Sequence, residues 1–257
     1  MNVKKLLATA LVSAVVFTGT AVNAGETLRI GVEGAYPPFS KKEADGSLSG
    51  FDIEIAQALC EQMGRECTLV EQEWDGMIPS LMARKFDAIV ASLTITEDRK
   101  KKISFSSKYY ATPTRMIAKE GADFEPTREG MAGKKVGLLR GTTYQCFAEK
   151  TYTDSEILLY NTQEDVYADL ASGRLDAQIS NSLQAIDGFL GTDAGKGFAF
   201  TGGDLIDQQC FGEGIGVAVR KNDALADDFS AAIAEIRVNG VYKSINDKYF
   251  AIDIFGE

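Results

Sequence analysis

The sequence contains no histidine. That removes Ser-His-Asp and Cys-His catalysis and every imidazole metal ligand. Cysteine is sparse. Cys60, Cys67, Cys146 and Cys210 are the whole set, and they lack zinc-site spacing. No metal and no cofactor is expected. Beyond residue 24 no apolar run is long enough to span a bilayer. Positive charge is also in short supply: 27 Lys and Arg stand against 37 Asp and Glu, for a net charge of −10. Such acidity argues against nucleic acid or an anionic membrane surface as partner.

What is present begins with a leader. Met1-Asn2-Val3-Lys4-Lys5 is a basic start, Leu6 to about Thr20 is apolar and small, and Val22-Asn23-Ala24 fits the small-x-small cleavage rule. Residues 1–24 are therefore read as a signal peptide cleaved after Ala24. The alternative, an uncleaved anchor, suits a longer run without the breaks at Thr9, Ser13, Thr18 and Gly19. Cleavage leaves 233 of the 257 residues and, with Lys4 and Lys5 gone, a charge of −12. The product is expected to be a soluble exported chain, large enough for one large domain or two small ones. An even cysteine count in an exported chain favours disulfides. Cys60 and Cys67 flank a short connection and are expected to pair. Cys146 and Cys210 either pair as well or remain two buried thiols.

Strand and helix patterns alternate along the chain. Leu28 to Val32, Cys67 to Val70 and Phe86 to Val90 read as strands, and Phe51 to Met63 and Met77 to Ala83 as helices. A second alternating unit follows Tyr110. Its strands are Arg115 to Ala118, Lys135 to Leu139, Ile157 to Tyr160 and Leu175 to Ile179, and its helices open near Thr142 and Glu164. This is the pattern of parallel sheets. The stretch Leu81-Met82-Ala83-Arg84-Lys85-Phe86-Asp87-Ala88 is echoed by Leu170-Ala171-Ser172-Gly173-Arg174-Leu175-Asp176-Ala177. The echo predicts two similar α/β lobes with facing strand ends. Phe211 to Val219 is punctuated by glycine but lacks the strand and helix of a dinucleotide fingerprint, so it reads as an extended crossover. Two helices, Ala224 to Asn239 and Val241 to Tyr249, close the chain.

The chemistry concentrates in Ala91-Ser92-Leu93-Thr94-Ile95-Thr96-Glu97-Asp98-Arg99. Hydroxyls, free backbone N–H groups and one arginine follow a buried strand. That is equipment for a small carboxylate, held by a planar bidentate cation and neutral donors. A plain capped turn, with Thr96 as N-cap and Arg99 solvated, is the structural alternative.

Taken together, these stretches resemble the periplasmic solute-binding proteins, family 3, of bacterial ABC transporters. The group in view binds histidine, lysine/arginine/ornithine or arginine/ornithine, with opine binders beside it. The resemblance covers the whole mature chain. It rests on Gly50-Phe51-Asp52-Ile53, Trp74-Asp75-Gly76-Met77-Ile78-Pro79-Ser80-Leu81 and Phe86-Asp87-Ala88. Ser92 to Arg99, Gly141-Thr142-Thr143, Gly173 to Ala177 and Gly240-Val241-Tyr242 continue it. It implies an α/β fold of two lobes, the type II binding-protein fold, with ligand in the cleft. Lobe 1 would run from 25 to 110 plus 215 to 257, and lobe 2 from 112 to 211. Two crossover strands near 110–112 and 212–214 would serve as hinge. It also implies the Cys60–Cys67 disulfide.

Residue roles follow from the same resemblance. Arg99 is expected to pair with the ligand α-carboxylate, helped by Ser92 and Thr94 and, on closure, by Thr142 and Thr143. Tyr36 and Trp74 would sandwich a planar guanidinium by stacking and cation–π attraction. Glu33 either meets the ligand's distal cation or is a solvated loop charge. Leu139 and Tyr144 are expected in the wall. Two positions depart from the group. Ala91 stands where relatives carry serine, and Asn181 where the histidine and lysine/arginine binders carry an aspartate for the α-ammonium. Opine binders are similar to this chain at Asn181. The function implied is a non-enzymatic periplasmic receptor that delivers a basic amino acid, arginine foremost, to an inner-membrane permease. It would act as a monomer, without nucleic acid. Lysine, ornithine and histidine stay open as ligands. The alternatives are an opine receptor, an exported dehydratase-like enzyme with Glu33 as its general acid/base, and an extracellular sensor module.

Overall fold

A computed structural model describes residues 27–256. The signal peptide and its cleavage site lie outside the described residues. In chain order the first elements are β1 (Leu28–Val32), β2 (Ala35–Tyr36), β3 (Ser40–Lys42), β4 (Leu48–Ser49), α1 (Phe51–Gln62) and β5 (Cys67–Glu71). Then come α2 (Met77–Met82), β6 (Ala88–Ile89), α3 (Glu97–Lys100) and β7 (Ile103–Tyr110). The next group is β8 (Thr114–Lys119), β9 (Lys135–Leu139), α4 (Thr143–Thr151), β10 (Glu156–Tyr160), α5 (Gln163–Ala171) and β11 (Ala177–Asn181). The last are α6 (Ser182–Ala185), β12 (Phe198–Leu205), α7 (Gln208–Phe211), β13 (Ile215–Arg220), α8 (Leu225–Val238) and α9 (Val241–Tyr249).

Two five-stranded sheets form two lobes. Lobe 1 has the order β5-β1-β6-β13-β7 and lobe 2 the order β10-β9-β11-β8-β12. The chain leaves the first sheet after Tyr110 and returns to it at Ile215. The sheets are mixed, which corrects the wholly parallel reading. β5, β1 and β6 run parallel, but β13 is antiparallel to β6 and β7. β10, β9 and β11 run parallel, while β8 and β12 are antiparallel. The crossover segments enter each sheet against the grain, and spacing alone carries no sign of direction. The expected extended crossover is also resolved more finely: Phe211 ends α7, and extension starts only at Ile215.

Helices cover both faces of each sheet. Residues of β6 and its flanks alternate, so Ala88 and Val90 join the core with α1, α8 and α9, while Ile89 and Ala91 join the core with α2. In lobe 2, Val136, Leu138 and Ile179 pack with Phe147 of α4, and Ile117 packs with Val166 and Leu170 of α5.

The sequence echo has a physical basis. Asp87 N–H donates to Arg29 O at 2.8 Å while its carboxylate accepts from Arg29 N–H at 3.1 Å. Asp176 does the same with Lys135, at 2.9 and 2.7 Å. The preceding apolar residue needs space in the neighbouring strand. A Cβ on Gly31 would lie 2.6 Å from the Phe86 ring, and one on Gly137 would lie 2.2 Å from Leu175. Each lobe thus uses one aspartate and one glycine to set the start of its central parallel strand.

Both cysteine pairs are disulfides. Cys60–Cys67 ties the end of α1 to β5, and Cys146–Cys210 ties α4 to α7, beside the return crossover. The start of α1 is locked from below. Phe51 meets the rings of Tyr110, Tyr242 and Phe250 edge-on, and Asp52 N–H donates to Phe39 O.

Candidate functional site

The parallel strands of both lobes end at one cleft, as expected for ligand sites in α/β sheets. Glu33 follows β1, Trp74 follows β5, Ser92 follows β6, and Leu139 ends β9. One cavity is lined by Glu33, Tyr36, Trp74, Ser92, Thr94, Arg99, Leu139, Thr142, Thr143 and Tyr144.

Arg99 is held by its own loop. Thr96 caps α3 by accepting from Arg99 N–H at 3.2 Å. The guanidinium donates to Thr94 O at 2.9 Å and, across the cleft, to Gly141 O at 3.2 Å. It stands 5.6 Å from the Trp74 ring centroid. The loop itself is sewn to the return crossover: Ile95 N–H donates to Gly214 O at 2.8 Å, and Glu213 N–H to Ile95 O at 3.2 Å. Opposite, Thr142 caps α4 and spends its hydroxyl on Leu139 O at 2.7 Å. The first N–H groups of α4, which have no acceptor within the helix, are what Thr142 and Thr143 bring to the cavity. The hydroxyls of Tyr36 and Tyr144 meet across the cleft at 3.2 Å.

Two expected residues are not brought into the lining. Ala91 is 1% exposed and packs into the core with α2, because alternation along the strand end sends its side chain away from the cleft. Asn181 is spent as the N-cap of α6. Its Oδ1 accepts from Leu183 N–H at 2.9 Å and Gln184 N–H at 3.3 Å, and its Nδ2 donates to Thr112. Asn181 lines an adjoining pocket on the crossover side, which shares Thr94, Thr143 and Tyr144 with the cavity. Its backbone N–H donates to the hydroxyl of Tyr144, one of those shared residues, at 3.0 Å. Ser92 does line the cavity, but its hydroxyl donates to Asp52 at 2.7 Å and accepts from Tyr110.

Residues 28–252 match the bacterial extracellular solute-binding proteins, family 3. The chain belongs to this family. The L-arginine-binding protein of Pseudomonas aeruginosa is 51% identical over 236 residues, covering 91% of each chain. The lysine/arginine/ornithine-binding periplasmic protein of Escherichia coli is 43% identical over 235 residues, covering 90% of each. A solved ancestral arginine-binding protein bound to arginine has a TM-score of 0.80 at 32% identity, covering 88% of this chain and 98% of that one.

Among the described residues no carboxylate pairs with Arg99, and burial lowers its pKa to about 10, which leaves it charged at neutral pH. Burial, with a smaller push from Asp52, raises Glu33 to about 8. Asp52 itself is fully buried and is raised to about 7 by burial, against the pull of hydrogen bonds from Ser92 and Tyr109. Asp52 lies behind the lining, bonded to Ser92, and was not expected there. Its signal was available, since it sits on the stripe Asp52, Ile55, Ala56, Leu59 at helical spacing, where an acid has no business unless partnered.

Proposed function

We propose that this protein is the periplasmic capture component of an ABC amino-acid importer and that it closes on a basic amino acid, L-arginine first. One observation carries the reading. A single cavity holds an arginine and a buried acid, neither in an ion pair among the described residues, with two aromatic rings beside them. An α-carboxylate satisfies the first and a side-chain cation the second, while Tyr36 and Trp74 suit a planar guanidinium. The names of the relatives point the same way. Arg99 and Tyr36 belong to lobe 1, and Gly141 and Tyr144 to lobe 2. Contacts between them mean that ligand held by both lobes favours the closed form. Lysine, ornithine and histidine fit the same charge pattern with less stacking. We read the chain as a binder and not an enzyme, because Arg99 is placed to hold a carboxylate and the relatives are named as binding proteins.

A second reading, an opine with a substituted α-nitrogen, draws on one observation. The residue at the crossover side is the neutral Asn181, and the pocket it lines adjoins the cavity. Calorimetric titration of ligand-stripped mature protein with L-arginine and then octopine separates the readings. Tight arginine binding supports the first reading, and weak arginine with tight octopine supports the second. No heat from either would sink both.

A further inference from the structure

One apolar side chain crosses from its own lobe to the core of the other. Leu183 sits in α6 of lobe 2, yet it packs, half-buried, against the lobe 1 core that holds Tyr36, Phe51, Phe229 and Tyr242. Among the described residues, every other member of that core comes from lobe 1, and the remaining three cores draw on one lobe each. Leu183 lines neither the cavity nor the pocket on the crossover side, so it does not touch a ligand held there.

The local structure aims Leu183 out of lobe 2. Ala185, two residues on, belongs to the lobe 2 core with Val166 and Phe189. Positions two apart on a helix lie about 200° apart around its axis, so Leu183 and Ala185 face opposite sides. Gln184 accepts from the Tyr167 hydroxyl and fastens the helix to α5. Asn181 holds the start of α6. Its Oδ1 takes the N–H groups of Leu183 and Gln184, and its Nδ2 donates to Thr112 in the first crossover. Ser182 N–H donates to Pro113 O at 2.9 Å. Asn181 N–H reaches the Tyr144 hydroxyl, which meets that of Tyr36 at 3.2 Å, and Tyr36 belongs to the core that receives Leu183. The apolar contact and the phenol contact therefore form one seam between the lobes, and Asn181 joins that seam to the crossover.

We propose that Leu183, held by the Asn181 cap, is a positioning residue for closure: it docks on the lobe 1 core when the lobes close and leaves it when they open, and so sets ligand affinity without touching the ligand. This goes beyond the basic amino-acid reading and holds for whatever ligand the cleft takes. Opening returns the leucine and the apolar surface beneath it to water, which is unfavourable. A contact made in one of two forms shifts their populations by its own free energy, and apparent affinity falls as the closed form becomes rarer. The seam is made of protein atoms alone, so it also keeps part of the ligand-free population closed.

Leu183→Ala removes the docking atoms and keeps a good helix former at the position. Mature protein is mixed with L-arginine in a stopped-flow instrument, with Trp74 fluorescence as the signal. Affinity is expected to weaken about tenfold, through faster dissociation, with association within about twofold of wild type. Small-angle X-ray scattering should give the ligand-free variant a larger radius of gyration than ligand-free wild type, and saturating arginine should bring the two together. Leu183→Met conserves volume and restores slow dissociation. Leu183→Val, a smaller cut that decides the matter if the alanine variant fails to fold, falls between. A leucine that only supports the fold of lobe 2 would lower the melting temperature and leave dissociation and radius unchanged, and that result would overturn the inference while arginine binding stood. If wild type binds no arginine, the amino-acid reading falls, and scattering of the ligand-free proteins still tests this one: a larger variant supports it, and equal radii overturn it.

Discussion

Replacing Arg99 by alanine separates binding from folding. Of the five N–H donors on a guanidinium, the structure commits one to Thr94 O at 2.9 Å and one to Gly141 O at 3.2 Å. The others are free for a ligand carboxylate. A desolvated bidentate arginine–carboxylate pair that loses one partner typically costs about 3–5 kcal/mol. At about 1.4 kcal/mol per tenfold, the expected loss in arginine affinity is about a thousandfold. The ligand-free fold should respond differently. Two carbonyls lose donors, at about 1 kcal/mol each. Against this, a cation without a counter-ion leaves the cleft, which relieves its desolvation. These terms nearly cancel, so the unfolding midpoint of the ligand-free variant should match wild type within about 1 kcal/mol. Trp74 is the sole tryptophan and lines the cavity, so its fluorescence reports ligand directly. Arg99→Lys keeps charge but loses the planar fork, and it should fall between wild type and alanine. A dissociation constant for Arg99→Ala within threefold of wild type would refute the placement of the carboxylate.

Three further outcomes are expected. Glu33 and Asp52 are raised above their unfolded values, so the folded state holds protons that the unfolded state has shed. Their stabilisation is present at pH 4 and is lost as pH rises through about 7 for Asp52 and about 8 for Glu33. The slope is at most about 1.4 kcal/mol per pH unit per group. The melting temperature of ligand-free protein should therefore fall between pH 5 and 8, and a flat or rising profile would count against the buried pair. Breaking Cys146–Cys210 with the double substitution to serine opens a loop of sequence separation 64, worth about 4 kcal/mol by chain entropy. Denaturant titration should show most of that, and a loss under 1 kcal/mol would mean the crossover is held by other contacts. Gly212 has φ 59° and ψ −145°, and a Cβ there would lie 1.9 Å from Ile95 O. Gly212→Ala should cost about 3 kcal/mol or more and weaken ligand by displacing the loop that carries Arg99, measurable by urea unfolding and Trp74 fluorescence.

The sequence by itself determined the element types and, through its internal echo, suggested two lobes, while the residues expected at the cavity came from the family resemblance. Local rules suffice for the elements. Phe51 to Gln62 is helical because its apolar residues recur at helical spacing, and Thr96, Thr142 and Thr162 cap because a hydroxyl at that position meets an orphan N–H. The paired echo around Asp87 and Asp176 was legible for the same reason, since one connection is used twice.

Only the tertiary structure decided the rest. Whether a strand enters a sheet parallel or antiparallel depends on partners far away in sequence, so β13 and β8 could not be oriented from pattern. Asn181 looked like a ligand residue by position, and it became a helix cap because α6 starts directly behind it. The hydroxyl of Ser92 looked free, and it was claimed by Asp52 from 40 residues upstream. Burial made the last difference. Glu33 and Asp52 are ordinary acids in the sequence, and only burial, a product of packing, raises both above the usual carboxylate range.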